Sequence, residues 1–259
     1  MRRLLLAICL VLFASGTAAA QSPAAVKPTI VLVHGAFAES SSWNGVIDRL
    51  SGHGYRVVAA ANPLRGVKQD AAALSALLAS IEGPVVLVGH SYAGMLISAP
   101  GVPSEKVRAL VYVAAFLPDV GETALGLSGK FPGSSLGTTL APAVSLPGGD
   151  KDLYIDQDRF PAQFAADVPL AMAKRMAATQ RPIAQSALAE PAGAPGWHST
   201  PSWSIYGSAD LNIPAAAHGF MADRAKVRRT VRIPGASHVV MVSHPAEVAA
   251  LIEEAAVAR

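Results

Sequence analysis

Short β-branched runs alternating with helical patterns constrain this chain more than any other feature. Thr29-Ile30-Val31-Leu32-Val33 is continuous and apolar, as suits a strand buried on both faces of a parallel sheet. The signature recurs at residues 55–60, 84–88, 107–115, 202–206 and 227–233. Helical patterns lie between or after these runs, at 42–50, 69–81, 92–98, 214–225 and 246–257. The alternation predicts an α/β fold: a mostly parallel six-stranded sheet flanked by helices and joined by right-handed crossovers. With 51% hydrophobic and 15% charged residues, the 259-residue chain can bury one large core and is too apolar to stay disordered. It has no internal repeat.

Residues 119–201 break the alternation. Their first part, 121–149, is rich in Gly, Ser and Pro and reads as loop, while 153–189 carries helical patterns interrupted by Pro161, Pro169 and Pro182. A structureless loop of that length is implausible in a compact domain. The stretch is therefore expected to be a helical cap, inserted before the penultimate strand over the sheet's C-terminal edge. A separate second domain is the alternative. The core then comprises 21–118 and 202–259.

The N-terminus reads as an export signal spanning residues 1–20. Met1-Arg2-Arg3 is positive, Leu4 to Phe13 is apolar, and Ala18-Ala19-Ala20 offers a small-residue cleavage site. The apolar run is too short to span a bilayer, and a retained anchor or a buried helix is the competing reading. Ile8 before Cys9 speaks against a lipoprotein. Cleavage after Ala20 would remove the single cysteine with Arg2 and Arg3, leaving 19 basic against 18 acidic residues. The mature chain is then expected to be periplasmic or secreted, without a stable membrane anchor, a disulfide or a Cys-based zinc site. Its near-neutral charge gives no ground for a nucleic-acid partner.

The strongest local motif is Val88-Gly89-His90-Ser91-Tyr92-Ala93-Gly94, at the junction of a strand and a helix. A sharp turn there lifts a serine hydroxyl above the sheet and needs small residues on either side. Gly89 fits; Ala93 stands where the motif's second glycine is usual, and Gly94 follows it. The plainer alternative is a serine at a helix N-cap. Serine alone is a poor nucleophile and needs a base held by a third group. Of seven histidines, His34 and His90 suit backbone-supporting roles, His53 lies in a Gly-rich turn, His198 in the insertion and His218 in a helix, while His244 resembles a cap. His238 follows the last strand through Pro234-Gly235-Ala236-Ser237, on a loop where open α/β sheets place working residues. Asp210, just past the fifth strand, is the matching acid, with Asp119 as rival and an Asx turn as its plainer role. Two backbone N–H donors for an oxyanion are expected from Ala36 and Tyr92, and Gly35 lets the loop approach closely.

These residues together resemble the α/β-hydrolase superfamily, over essentially all of the mature chain and more loosely in the insertion. The likeness is to compact carboxylesterases related to plant methylesterases and hydroxynitrile lyases, and to bacterial esterases similar to pyrethroid hydrolases. Val33-His34-Gly35-Ala36-Phe37, the serine turn, Phe116-Leu117-Pro118-Asp119 and Ala236-Ser237-His238 carry it. The lyases carry a threonine where Gly35 stands and a lysine where Val239 stands, so both departures favour hydrolysis. The resemblance implies a serine esterase acting on small to medium apolar esters through Ser91, Asp210 and His238, with no metal or organic cofactor. The small-molecule ester would be its partner. Phe37, Tyr154 and Phe160 are the candidate substrate contacts. A lyase-like activity, or a non-catalytic ligand-binding protein on the same fold, are the alternatives.

Overall fold

The computed structural model describes residues 26–102 and 105–258, so the export signal read at 1–20 lies outside the described residues. Its centre is a parallel sheet of six strands: β1 (Thr29–Val33), β2 (Val57–Ala60), β3 (Val85–His90), β4 (Val107–Val113), β5 (Ser202–Gly207) and β6 (Arg229–Ile233). Their spatial order is β2-β1-β3-β4-β5-β6. The residues of the continuous apolar runs are where the strands were expected. Ile30, Val31 and Leu32 and the whole of 85–88 are fully buried, because helices cover both faces of the central strands. The outermost strand β6 instead alternates as Arg229-Thr230-Val231-Arg232-Ile233, and its charged residues keep the open edge solvated. Strand β4 stops at Val113, two residues short of its apolar run, since Ala114 takes a positive φ of 43° and turns the chain.

The main helices flanking the sheet, among the described residues, are α1 (Asn44–Gly52), α2 (Val67–Ala79), α3 (Ala93–Ser98), α4 (Ala215–Ala225) and α5 (Pro245–Val257). Helix α2 buries Val67, Asp70, Ala71, Leu74 and Leu78, the stripe that a 3.6-residue period makes. It packs on α3, and α1 packs on α5. Pro245 opens α5, where its missing N–H has no helical acceptor to lose.

The stretch between β4 and β5 is less helical than its sequence suggests. Helices Phe160–Phe164, Leu170–Thr179 and Gln185–Ala189 are separated near Pro169 and Pro182. The same stretch holds a small antiparallel sheet of Val144–Ser145, Lys151–Leu153 and Ile183–Ala184. The expected loop at 121–149 also carries two short helices, Ala124–Ser128 and Leu136–Thr139. Segments this short hold their shape through tertiary contacts, so no periodicity announces them. The stretch is fastened to the core at several points. Arg65 pairs with Asp152 at 2.7 Å and donates to the Pro182 carbonyl at 3.0 Å. Glu190 accepts from the first N–H groups of α2, those of Val67 and Lys68. Among the described residues, no helix is long and apolar enough to cross a membrane.

Candidate active site

The strand order reverses direction at β1: the chain passes from β1 to β2 on one side, then returns to β3 on the other. Ligands of open α/β sheets bind beyond the C-terminal ends of the strands at such a reversal. Two loops meet there, the one after β1 and the turn after β3.

The turn after β3 puts Ser91 at φ 54°, a left-handed conformation that a side-chain-bearing residue adopts only under constraint. The constraint is visible. The Ser91 carbonyl accepts from Gly94 N–H and Phe116 N–H, and Tyr92 Oη donates to Asp70 on α2 at 3.1 Å. The closest backbone approach falls on Gly94, where a Cβ would stand 1.8 Å from the Phe116 carbonyl oxygen. Ala93 is therefore tolerated because the tight contact lies one residue later. Gly35 is equally confined, since its Cβ would lie 2.6 Å from that of Ser91.

His238 Nε2 lies 2.8 Å from Ser91 Oγ, and His238 Nδ1 lies 2.7 Å from Asp210 Oδ2. The second oxygen, Oδ1, accepts from Asn212 N–H at 2.8 Å and Ile213 N–H at 2.9 Å. The three expected residues thus converge from the ends of three strands. All are buried: Ser91 is 6% exposed, Asp210 4% and His238 1%. Burial opposes the charge on Asp210, yet His238 and His218 overcome it and hold the carboxyl well below the usual carboxylate range. Asp119 lies elsewhere, half-exposed and 3.8 Å from His198.

Two further histidines hold the loops. His34 Nδ1–H donates to the Gly35 carbonyl, and its Nε2 accepts from Asn62 N–H. His90 Nδ1 accepts from Gly35 N–H, leaving Nε2–H for the His238 carbonyl at 3.2 Å. Each ring therefore has one bare nitrogen engaged as an acceptor and must be neutral. Burial enforces this, pulling His34 down to about 4 and His90 well below the ordinary histidine value. In the β1 loop, Gly35 N–H is committed to His90 and Phe37 N–H to the Arg181 carbonyl. Ala36 N–H and Tyr92 N–H have no protein acceptor among the described residues, and both residues line the cavity beside Ser91.

That cavity has a volume of about 50 Å³ and an almost wholly apolar wall, to which Phe37, Leu125, Leu136, Phe164 and Leu188 contribute. Phe37 lines this cavity. Tyr154 and Phe160 do not line this cavity. Tyr154 borders an outer groove, and Phe160 is fully buried against Phe164, with ring centres 4.9 Å apart. It is Phe164 that meets the site, 5.0 Å from the His238 ring and 6.2 Å from Phe37. Beyond Phe37 lies a larger chamber of about 480 Å³, walled by Glu39, Met172, Arg175 and Met176. Among the described residues, no group of three or more His, Cys, Asp or Glu is placed to hold a metal.

The sequence profile of the alpha/beta hydrolase family matches residues 30–251. The chain belongs to that family. No curated protein sequence matches this alpha/beta hydrolase. Among solved structures it is similar to polyneuridine aldehyde esterase, at 19% identity and a TM-score of 0.76 over 88% of this chain and 99% of that one. It is also similar to a pyrethroid hydrolase from Sphingobium faniae, at 23% identity and a TM-score of 0.68, covering 88% and 97%. A third likeness is tomato methylketone synthase I, solved with 2-tridecanone, at 19% identity and a TM-score of 0.73, covering 88% and 97%. At these identities the likeness establishes the shared fold, on which more than one chemistry is carried.

Proposed function

We propose that this alpha/beta hydrolase cleaves carboxylic esters with small apolar acyl groups through a Ser91–His238–Asp210 triad. The observation that supports it is the unbroken run of short contacts from Ser91 Oγ through His238 to Asp210 Oδ2. Ser91 Oγ attacks the ester carbonyl carbon while His238 Nε2 takes its proton. Asp210 holds the Nδ1–H tautomer and stabilises the imidazolium that forms. The carbonyl oxygen becomes an oxyanion between Ala36 N–H and Tyr92 N–H; losing one such donor costs on the order of 10²–10³ in rate. His238 returns the proton to the departing alcohol, and water then hydrolyses the acyl-enzyme by the same route. The apolar wall and small volume beside Ser91 favour a short acyl chain. The position after His238 is Val239, fully buried, so no amine is offered there for cyanohydrin cleavage.

Ser91→Ala is expected to lower kcat on short p-nitrophenyl esters by at least about 10³-fold with an unchanged melting temperature. An organophosphonate should label the unaltered protein at Ser91 alone. Full turnover by the alanine variant would overturn the assignment. Export to the periplasm or beyond is part of the same reading, and a mature N-terminus other than Gln21 would count against the proposed cleavage site.

A further inference from the structure

Asp210 carries a second imidazole. His218 Nε2 lies 3.1 Å from Asp210 Oδ2, the same oxygen that His238 Nδ1 approaches at 2.7 Å. The His218 and Asp210 side chains are 1% and 0% exposed. The His218 ring stacks on Tyr206, with centres 4.7 Å apart and planes 16° from parallel. With Oδ1 already taken by two backbone N–H groups, every strong acceptor position of this buried carboxylate is used.

We propose that His218 is a positioning residue of the reaction: its Nε2–H fixes the plane of the Asp210 carboxylate and limits the basicity of Oδ2. This rests on the esterase reading above. A carboxylate oxygen shared between two donors pulls less on each of them. His238 is then held in the tautomer that leaves Nε2 to accept the Ser91 proton. The groups facing His218 are few. They are Asp210 and His238 on their loops, the Ala115 carbonyl just past β4, and the Tyr206 ring on β5. Burial pulls the ring below the ordinary histidine value and His238 adds to that, against Asp210 and the Ala115 carbonyl, which both favour the protonated ring.

Two variants and one spectrum test this. His218→Leu removes the donor, and His218→Gln keeps an amide N–H of similar reach without a titrating ring. The leucine variant is expected to lose about tenfold in kcat on p-nitrophenyl acetate, the weight of a hydrogen bond to a charged group, with KM changed less than twofold. The acid limb of its kcat/KM profile should move to higher pH, because Oδ2 becomes more basic toward His238. The glutamine variant should restore both. The low-field proton resonance of the His238–Asp210 hydrogen bond should shift in the leucine variant and return in the glutamine variant. This reading needs no substrate, so it stands even if the unaltered protein cleaves no ester, which would defeat the esterase reading alone. A leucine variant with full kcat and an unmoved profile would overturn the proposal. So would a glutamine variant no better than leucine. If neither variant folds, nitrogen-15 spectra of the unaltered protein decide: His218 Nε2 must carry the proton that faces Asp210, and a bare Nε2 there overturns the idea.

Discussion

At the scale of single residues, the site is defined by close approach as much as by chemistry. Gly94 has the Phe116 carbonyl where a methyl would go, and only backbone movement could relieve that contact. Gly94→Ala is therefore expected to cost roughly 3 kcal/mol or more in denaturant unfolding, because overpacking falls on backbone and not on a side chain that can turn aside. Gly35→Ala differs, since its added carbon meets Ser91 itself. On the proposed esterase reading, turnover of p-nitrophenyl acetate should fall at least tenfold there, measured with melting temperature as the folding control. These positions show which parts of the site could be read in advance. Ser91, Asp210 and His238 each sit just past a strand with the residue types the chemistry needs, and such local signals survive in a linear text. Phe164 and His218 have no such mark. Phe164 reaches the His238 ring from the insertion, and His218 meets Asp210 because α4 folds back onto β5. Both contacts depend on packing that no spacing encodes.

At the scale of elements, the insertion behaves as a fitted part of the core. Helix α2 begins without a capping side chain of its own, and Glu190 supplies the acceptor from 122 residues or more away. A carboxylate at a helix N-terminus typically contributes about 1 kcal/mol. Glu190→Ala is thus expected to lower the melting temperature by about 2–4 °C and to quicken proteolysis within residues 119–201. Phe37 plays a different part, dividing the 50 Å³ cavity at Ser91 from the 480 Å³ chamber beyond. Phe37→Ala should join the two spaces. The expected result is a shift in relative kcat/KM from acetate toward octanoate across a p-nitrophenyl ester series. The strand and helix order of the core was legible because each element repeats a period over a full buried face. The three-stranded sheet in the insertion was not, since strands of two or three residues show no period at all.

Across the whole molecule, three buried histidines tie stability to pH. His34, His90 and His218 are all depressed below the ordinary histidine value by burial. The unfolded chain takes up protons near pH 6.5 that the folded chain refuses, so the stabilisation is full above that pH and falls as pH drops toward 4. His34 alone, held at about 4, accounts for about 3 kcal/mol across that window. The melting temperature should decline steadily from pH 7 to pH 4.5 at constant ionic strength, and a flat profile would contradict the neutral assignments. The order of the sheet carries a consequence in time as well. Strands β1 to β4 come from one continuous stretch of chain, whereas β5 must pair with β4 across residues 114–201. Closing so long a loop makes that pairing slow and late in folding. Asp210 and His238 come with β5 and β6, so a chain in which only β1 to β4 have paired holds Ser91 at its left-handed turn apart from both.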